Sequence, residues 1–409
     1  MKKPELLIPA GNLEKLRTAL LYGADAVYVG VPDLSLRAGS SEMSLPDLAS
    51  GVNEAHAKDV KIYAAANTFT RDKDFEQVKR IIPQLAATGI DALIVSEPGM
   101  LRLIRRLAPQ LPVHLSTQAN TTNSEAVRFW QDQGVRRIIL ARELNLKEVG
   151  EIAVAVPEME LEIFIHGAMC MAYSGRCYLS AFRNHRSANE GDCSQPCRWD
   201  YLLHESTRPD DPLILQEDDR YSYLLSSKDL CLIEYLPEVL AAGITSLKIE
   251  GRMKSAYYVA VVTRTYRQAL DALIRQKEKY KCEPEWIDEL TKISNRGYTT
   301  GFAFAEGKIN ETSGEIKYIQ THEPAGAVLQ YDAERKVILL GVRNRLQIGD
   351  CLELLLPDDT VTLTINTMID KEGTKLSEAH SGYEIYIPFD HQIPVGVLAR
   401  QQVKHQKEH

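Results

Sequence analysis

The 409-residue chain has no stretch approaching the ~20 consecutive apolar residues of a membrane span. It also lacks a leader pattern: Lys2 and Lys3 precede Leu6-Leu7-Ile8, which runs into Pro9 and Gly11 and leaves no apolar core for a signal peptide. The expectation is a cytoplasmic protein without membrane association, in which thiols stay reduced and structural disulfides are absent. A cationic excess is missing too. Lys plus Arg is 48 against 56 for Asp plus Glu, a net charge of -8, so the surface as a whole is not built to follow phosphates. A local basic patch on a folded RNA stays compatible with that balance. No Gly-x-Gly-x-x-Gly follows the first apolar run, and there is no Gly-x-Ser-x-Gly elbow or His-Glu-x-x-His helix. These gaps argue against a dinucleotide fold, a serine hydrolase and a zinc protease of the familiar kinds.

What is present is a strand–helix rhythm. Short apolar runs fall at Glu5–Ile8, Ala26–Val29, Lys61–Ala65, Asp91–Val95, Pro112–Leu115, Arg137–Leu140, Leu161–Ile165 and Ser246–Ile249. Between them, spacings of three and four, as in Leu13, Leu16, Leu20 or Val78, Ile81, Ile82, Leu85, fit helices. Gly23, Gly89, Gly134 and Gly243 each close a helical pattern, where a left-handed residue is wanted. Eight such units predict an α/β fold, a closed (β/α)8 TIM-like barrel over residues 1–310.

The rhythm breaks once, after the seventh strand. Residues 167–245 hold short β-like runs at Trp199–Leu203 and Tyr221–Leu225, a turn at Pro209-Asp210-Asp211-Pro212 and a predicted helix over Asp229–Ala241. A helix over Ser255–Lys277 follows the eighth strand. Beyond it the pattern turns to short alternating runs, Gly326–Tyr331, Lys336–Gly341, Cys351–Leu356, Val361–Met368, Tyr383–Ile387 and Pro394–Leu398, which predict a small all-β barrel over residues 320–400. The polar residues 401–409 read as a frayed tail.

Loops after barrel strands line the catalytic face. On that rim the sequence places Arg37, Asn67, Glu97, Gln118, Asn120, Arg142, Glu143, His166, Glu250 and Arg252. Lys248 and Glu250 share a strand face by the period of two. Taken singly, each of these is better read as structural, and Lys248 and Glu250 as paired with each other or with a neighbouring charge. Taken as a set converging on one rim, they point to function. Arg142, Lys248 and Arg252 lead as ligands for a small anionic metabolite, with Glu250 orienting one of them. His166, four residues before Cys170, reads first as a hydrogen-bonded structural group or an outer partner of a metal site, ahead of acid–base work.

Five of the seven cysteines lie in or beside the break, as Cys170-x6-Cys177-x15-Cys193-x3-Cys197 and Cys231. Four thiolates satisfy either tetrahedral zinc or a cubane iron–sulfur cluster. Only Cys193 and Cys197 form the close pair that structural zinc favours. The wide Cys170–Cys177 step suits a larger object, whose charge Arg176 is placed to offset. The compact Cys-x3-Cys-x2-Cys of radical-generating enzymes is absent, since Asp200 stands at its third position. Cys282 and Cys351 lie elsewhere and read as small hydrophobes. A thiol–imidazole pair of Cys170 with His166 would leave the other thiols unexplained.

The run from Glu162 through His166-Gly167-Ala168-Met169-Cys170 to Arg176-Cys177-Tyr178-Leu179-Ser180 resembles the signature of peptidase family U32. Pro9-Ala10-Gly11-Asn12, Gly23-Ala24-Asp25-Ala26-Val27-Tyr28, Gly191 to Trp199, Ser227-Lys228-Asp229-Leu230 and Leu247-Lys248-Ile249-Glu250-Gly251-Arg252 extend the resemblance over residues 4–310. Members were named as collagenase-like peptidases, and several act as iron–sulfur proteins in RNA or ubiquinone hydroxylation. Within the family the chain looks most like the branch forming 5-hydroxyuridine at the tRNA wobble position, with prephenate as a required metabolite. The resemblance implies a [4Fe-4S] cluster on Cys170, Cys177 and Cys193, with Cys197 the first choice for a fourth ligand and Cys231 the alternative. It implies tRNA as a partner, and an electron donor or partner protein besides. His166, Glu250 and Arg252 are the catalytic candidates. Arg142, Arg176, Lys248 and Arg252 are the candidates for holding cofactor or metabolite. The alternatives are a U32-type endopeptidase and a cluster-bearing scaffold that recruits another hydroxylase.

Overall fold

A computed structural model of the chain describes residues 3–31, 34–35, 43–170, 172–190, 192–198, 228–304 and 319–403. Arg37, the β-like runs at Trp199–Leu203 and Tyr221–Leu225 and the turn at Pro209–Pro212 lie outside these residues.

Seven parallel strands lead the fold: β1 (Glu5–Ala10), β2 (Ala26–Gly30), β3 (Lys61–Ala65), β4 (Ala92–Val95), β5 (Val113–Leu115), β6 (Arg137–Ile139) and β7 (Glu160–Ala168). Next come β8 (Asp229–Cys231), β9 (Ser246–Ile249) and β10 (Tyr298–Thr299). Each of β1 to β6 pairs in parallel with its successor, and β9 pairs in parallel with both β1 and β7. The eight strands β1–β7 and β9 therefore form a closed barrel, in the order the sequence rhythm implies. β8 lies outside the closure, antiparallel to the end of β7, and carries β10 on its other edge.

Local chemistry sets the element ends. The side chains of Asn12, Asn123 and Asn145 accept the backbone N–H three residues on, which caps three of the barrel helices. Gly23, Gly89, Gly134 and Gly243 take φ of 94°, 83°, 78° and 80°, the left-handed turn expected between helix and strand. The helix Ala256–Gln276 starts on the Ser255 cap and packs along the closure, burying Tyr257, Tyr258, Tyr266 and Leu270. Among the described residues no helix is long and apolar enough to cross a membrane.

One expected helix is shorter than the sequence pattern implies. Asp229–Cys231 is strand, and the helix proper covers only Leu236–Ala241. The antiparallel partner His166–Ala168 lies 61 to 65 positions away in sequence and takes the backbone hydrogen bonds that a local helix would have used.

The C-terminal domain corrects the expected barrel. Its strands are β11 (His322–Asp332), β12 (Val337–Val342), β13 (Leu346–Gln347), β14 (Cys351–Leu355), β15 (Thr360–Thr364), β16 (Met368–Ile369), β17 (Lys375–Leu376), β18 (Glu378–Ala379), β19 (Glu384–Pro388) and β20 (Leu398–Gln402). Eight of them form one sheet in the order β15-β14-β20-β11-β12-β19-β16-β17, and β13 with β18 forms a separate ribbon. The edge strands β15 and β17 do not pair among the described residues, so this sheet is not closed. β17 has two residues, too few to carry a ladder across the gap. Gln401 and Gln402, read from sequence as tail, belong to β20, and residues 404–409 lie outside the described residues.

The two domains meet through buried polar contacts. The Tyr22 hydroxyl donates to the Leu355 carbonyl at 2.6 Å and accepts from the Leu398 N–H at 3.2 Å. Arg400, fully buried, is held by Glu289 of the barrel domain and Glu353 of the sheet.

Candidate functional site

β7 carries the break in regularity that shapes the barrel mouth. Phe164 aligns with Lys248 but His166 with Ile249, so β7 holds one extra residue between them. Such a bulge turns the residues beyond it to a new face. Glu162 and Phe164 point inward, whereas His166 faces the helix Ala256–Gln276, in a cage of Tyr258, Tyr266 and Tyr298 with ring centroids 5.4–6.1 Å away. Gly167 follows at φ 105°, and a Cβ there would stand 2.5 Å from the Glu250 carbonyl oxygen. The ends of β7 and β9 thus approach to a distance that only glycine permits.

Above the barrel core opens a cavity of about 230 Å³. Its walls include Arg142, Lys248, Glu250 and Arg252 from the strand ends, and Cys170, Cys177, Cys193 and Cys197 from the excursion after β7. Lys248 is almost fully buried and donates to Glu162 at 2.7 Å, with its ammonium 4.5 Å from the Tyr28 ring centroid. Burial pulls its pKa down, and the Glu162 carboxylate partly offsets this. Glu162 is itself fully buried and also takes Arg137 at 3.3 Å and the Ser246 hydroxyl at 3.1 Å. The floor of the cavity is therefore an ionic network fixed by several hydrogen bonds, the condition under which buried charge is tolerated.

The Arg142 guanidinium lies 3.9 Å from the Phe164 ring centroid, donates to the Ala168 carbonyl at 2.9 Å and approaches Glu250 at 3.6 Å. Its buried Nε has no hydrogen-bond partner among the described residues. Arg252, also buried, donates to the Ser35 hydroxyl. The expected face shared by Lys248 and Glu250 is present, but each has found its own partner, Glu162 and Arg142. Three cationic side chains and two carboxylates leave this wall with a positive balance suited to an anion.

The cysteine segment is fastened to the rim at several points. The Glu143 carboxylate accepts both the Ser174 N–H and, at 2.6 Å, the Ser174 hydroxyl, which holds Ser174 in a left-handed conformation with φ 46°. Arg176 donates to the Gln118 carbonyl at 2.7 Å and lies over the Phe69 ring. Cys177 N–H donates to the Asn189 side chain at 3.2 Å, and the Asn189 carbonyl accepts from the Phe69 N–H. Buried Ser180 accepts the Ser194 N–H at 3.0 Å, tying the Cys177 turn to the Cys193 turn. Burial raises the Cys177 thiol pKa, and the neighbouring Cys170 and Cys193 add to the effect.

The structure thus brings together Cys170, Cys177, Cys193, Cys197, Arg142, Lys248, Glu250 and Arg252. It does not bring Cys231, His166 or Arg176 to the cavity wall. Cys231 is half-buried, hydrogen-bonded to the Tyr266 hydroxyl at 3.7 Å, and desolvation pushes its thiol up to about 11. His166 contacts the same Tyr266 hydroxyl through Nδ1 at 3.3 Å, and burial lowers its pKa to about 3. Among the described residues no group of three or more Cys, His, Asp or Glu side chains is gathered tightly enough to hold a metal ion. Sequence reasoning missed Glu162, Phe164, Tyr28 and Asn189. Glu162 carried a usable signal, a lone carboxylate inside the apolar run of a strand whose two faces are covered.

The comparisons bear on the whole chain. The model of Peptidase family U32 matches residues 11–313, and that of the Peptidase family U32 C-terminal domain matches residues 320–400. The chain is 40% identical to tRNA hydroxylation protein P1 of Bacillus subtilis over 94% of this chain and 91% of that one. It is 36% identical to tRNA hydroxylation protein P of Escherichia coli over 95% and 94% of the two chains. A protein of Porphyromonas gingivalis named collagenase is 30% identical over 94% of each. With both of its domains matched in order and its relatives aligned along nearly their full length, the chain belongs to peptidase family U32 and is closely related to its tRNA-hydroxylation-protein-P members.

Proposed function

We propose that this protein is an enzyme, or an essential catalytic component, that converts tRNA wobble uridine to 5-hydroxyuridine with a [4Fe-4S] cluster and a small anionic metabolite at the barrel mouth. The observation that carries this reading is the meeting of four thiols with Arg142, Lys248 and Arg252 on one cavity. The names of the relatives from Bacillus subtilis and Escherichia coli supply the reaction class.

Cys170, Cys177, Cys193 and Cys197 provide four thiols on one wall, the number of thiolates a [4Fe-4S] cluster takes. Bound there, the cluster would supply electron transfer. The remaining work falls to the chain. Arg142 and Arg252 hold carboxylates of the metabolite, prephenate in this reading, whose two carboxylates match planar guanidinium groups. Glu250 orients Arg142, and Lys248 keeps the floor positive against Glu162. Phe164 and Tyr28 exclude water beneath them. The cavity wall has no histidine among the described residues, so the Cys170–His166 pair of a thiol peptidase finds no support in the geometry.

The test is nucleoside analysis of tRNA from a deletion strain. Loss of 5-hydroxyuridine and its derivatives is expected, with recovery on complementation by the wild type. Complementation by Arg142→Gln should restore at most about a tenth, as loss of a charge-assisted contact implies. Unchanged modification in the deletion strain, where no second pathway exists, would overturn the reading.

A further inference from the structure

Directly outside the cysteine wall, the segment turns a second face to solvent. Tyr178 and Phe182 are each 81% exposed, the two most exposed large aromatic side chains among the described residues. The Phe182 N–H donates to the Tyr178 carbonyl at 2.8 Å, so the rings stand one helical turn apart on the same side. The opposite side of this short helix, Leu179–Asn184, is anchored: Leu179 lines the cavity and Ser180 is buried against Ser194. The rings are therefore held outward by packing and cannot turn inward without breaking those contacts.

The segment that carries the rings is rich in positive charge by sequence. Residues 172–198 contain four arginines, Arg176, Arg183, Arg186 and Arg198, against Glu190 and Asp192, in a chain of net charge -8. Arg183 sits in the last turn of the helix, and Arg186, paired with Asp192 at 2.6 Å, lines the cavity. Aromatic faces bordered by guanidinium groups, without an aliphatic neighbour in Leu179–Asn184 on the exposed side, match unpaired bases on a phosphate backbone better than an apolar protein surface.

We propose that Tyr178 and Phe182 form a stacking platform for unpaired bases in a single-stranded RNA loop, beside the nucleotide that enters the barrel mouth. This inference rests on the RNA reading above and adds where and how the loop is gripped. A base delivered into the cavity leaves its stack, and its neighbours lose a stacking partner. The two rings replace that partner, and the arginines meet the adjacent phosphates.

Equilibrium binding of the full-length protein to an anticodon stem-loop RNA, with a fully paired duplex as control, tests the platform. Tyr178→Ala/Phe182→Ala should weaken stem-loop binding ~10-fold or more and leave the weaker duplex binding unchanged. Tyr178→Phe/Phe182→Tyr keeps both π faces and should retain stem-loop affinity. Wild-type stem-loop affinity in a folded double-alanine variant would overturn the proposal, as would an equal loss on duplex. So would a change in oligomeric state by sedimentation without any change in RNA affinity, since the rings would then serve a protein contact. Failure here with intact loss of 5-hydroxyuridine in the deletion strain leaves the functional reading standing. Stem-loop selectivity with unchanged nucleosides overturns that reading and keeps the platform.

Discussion

At the scale of single residues, the cavity separates the thiols into two classes. Cys197 shares the wall with Cys170, Cys177 and Cys193, while Cys231, half-buried, lies off that wall against Tyr266. Purified without oxygen, Cys197→Ser should lose most of its iron and sulfide, and Cys231→Ser should retain them at the wild-type ratio. Iron analysis with the visible absorbance of the cluster reads the difference, and the reverse pattern would make Cys231 the ligand. His166 lends itself to a pH experiment. Its pKa falls from 6.5 to about 3, chiefly through burial, with Asp229 opposing. The unfolded chain therefore binds a proton in that interval that the native chain refuses. Stability from this group is complete above pH 6.5 and is lost as pH falls toward 3. Against wild type, a His166→Asn variant should unfold at lower urea at neutral pH and show a flatter midpoint between those limits. A parallel decline in both proteins would assign acid sensitivity elsewhere.

Elements show which parts of this arrangement could be read in advance. All eight barrel strands were legible, because apolar runs and glycine helix ends are local signals. Asp229–Cys231 was not, because its strand state depends on His166–Ala168 and Tyr298–Thr299. The tyrosine cage around His166 was not legible for a similar reason: alternation along β7 holds until the bulge after Phe164, and apolar patterning does not mark a bulge. Cysteines and rim charges were legible by residue type, yet the pairing of Lys248 with Glu162 and of Glu250 with Arg142 needed the barrel to be closed. Gly167 is where element geometry can be tested. A Gly167→Ala variant must place a methyl 2.5 Å from the Glu250 carbonyl at a φ of 105°. It should lose ~1–3 kcal/mol in urea unfolding. It should also weaken metabolite binding at the mouth, because Glu250 and Arg142 move apart. Wild-type stability would show that the strand ends relax without cost.

For the whole molecule, the junction between the domains is tied by groups that cannot be left half-paired. Tyr22 alone satisfies one carbonyl and one N–H of the sheet, at Leu355 and Leu398. Tyr22→Phe strands both, at ~1–3 kcal/mol for each buried group left unsatisfied. We expect a lower unfolding midpoint and a second transition in calorimetry, as the sheet and barrel cease to melt together. A single transition at the wild-type midpoint would show that Arg400 with Glu289 and Glu353 suffices. The failure to read an open sheet belongs at this scale as well, since closure is a property of β15 and β17 together and neither strand encodes it.

The closure of the barrel on β9 also fixes an order of events in time. Glu5 of β1 pairs with Ser246 of β9, 241 positions along the chain, and β9 pairs with β7 without using β8. Contacts of such long sequence separation form slowly, because loop-closure entropy is met before they are rewarded. The four cavity thiols, by contrast, fall within residues 170–197 and are gathered by short-range contacts such as Ser180 with Ser194. A chain built this way matures in two stages: the scaffold commits slowly, and the thiol-bearing segment, local in its own contacts, takes its place where Glu143, Gln118 and Phe69 are already set.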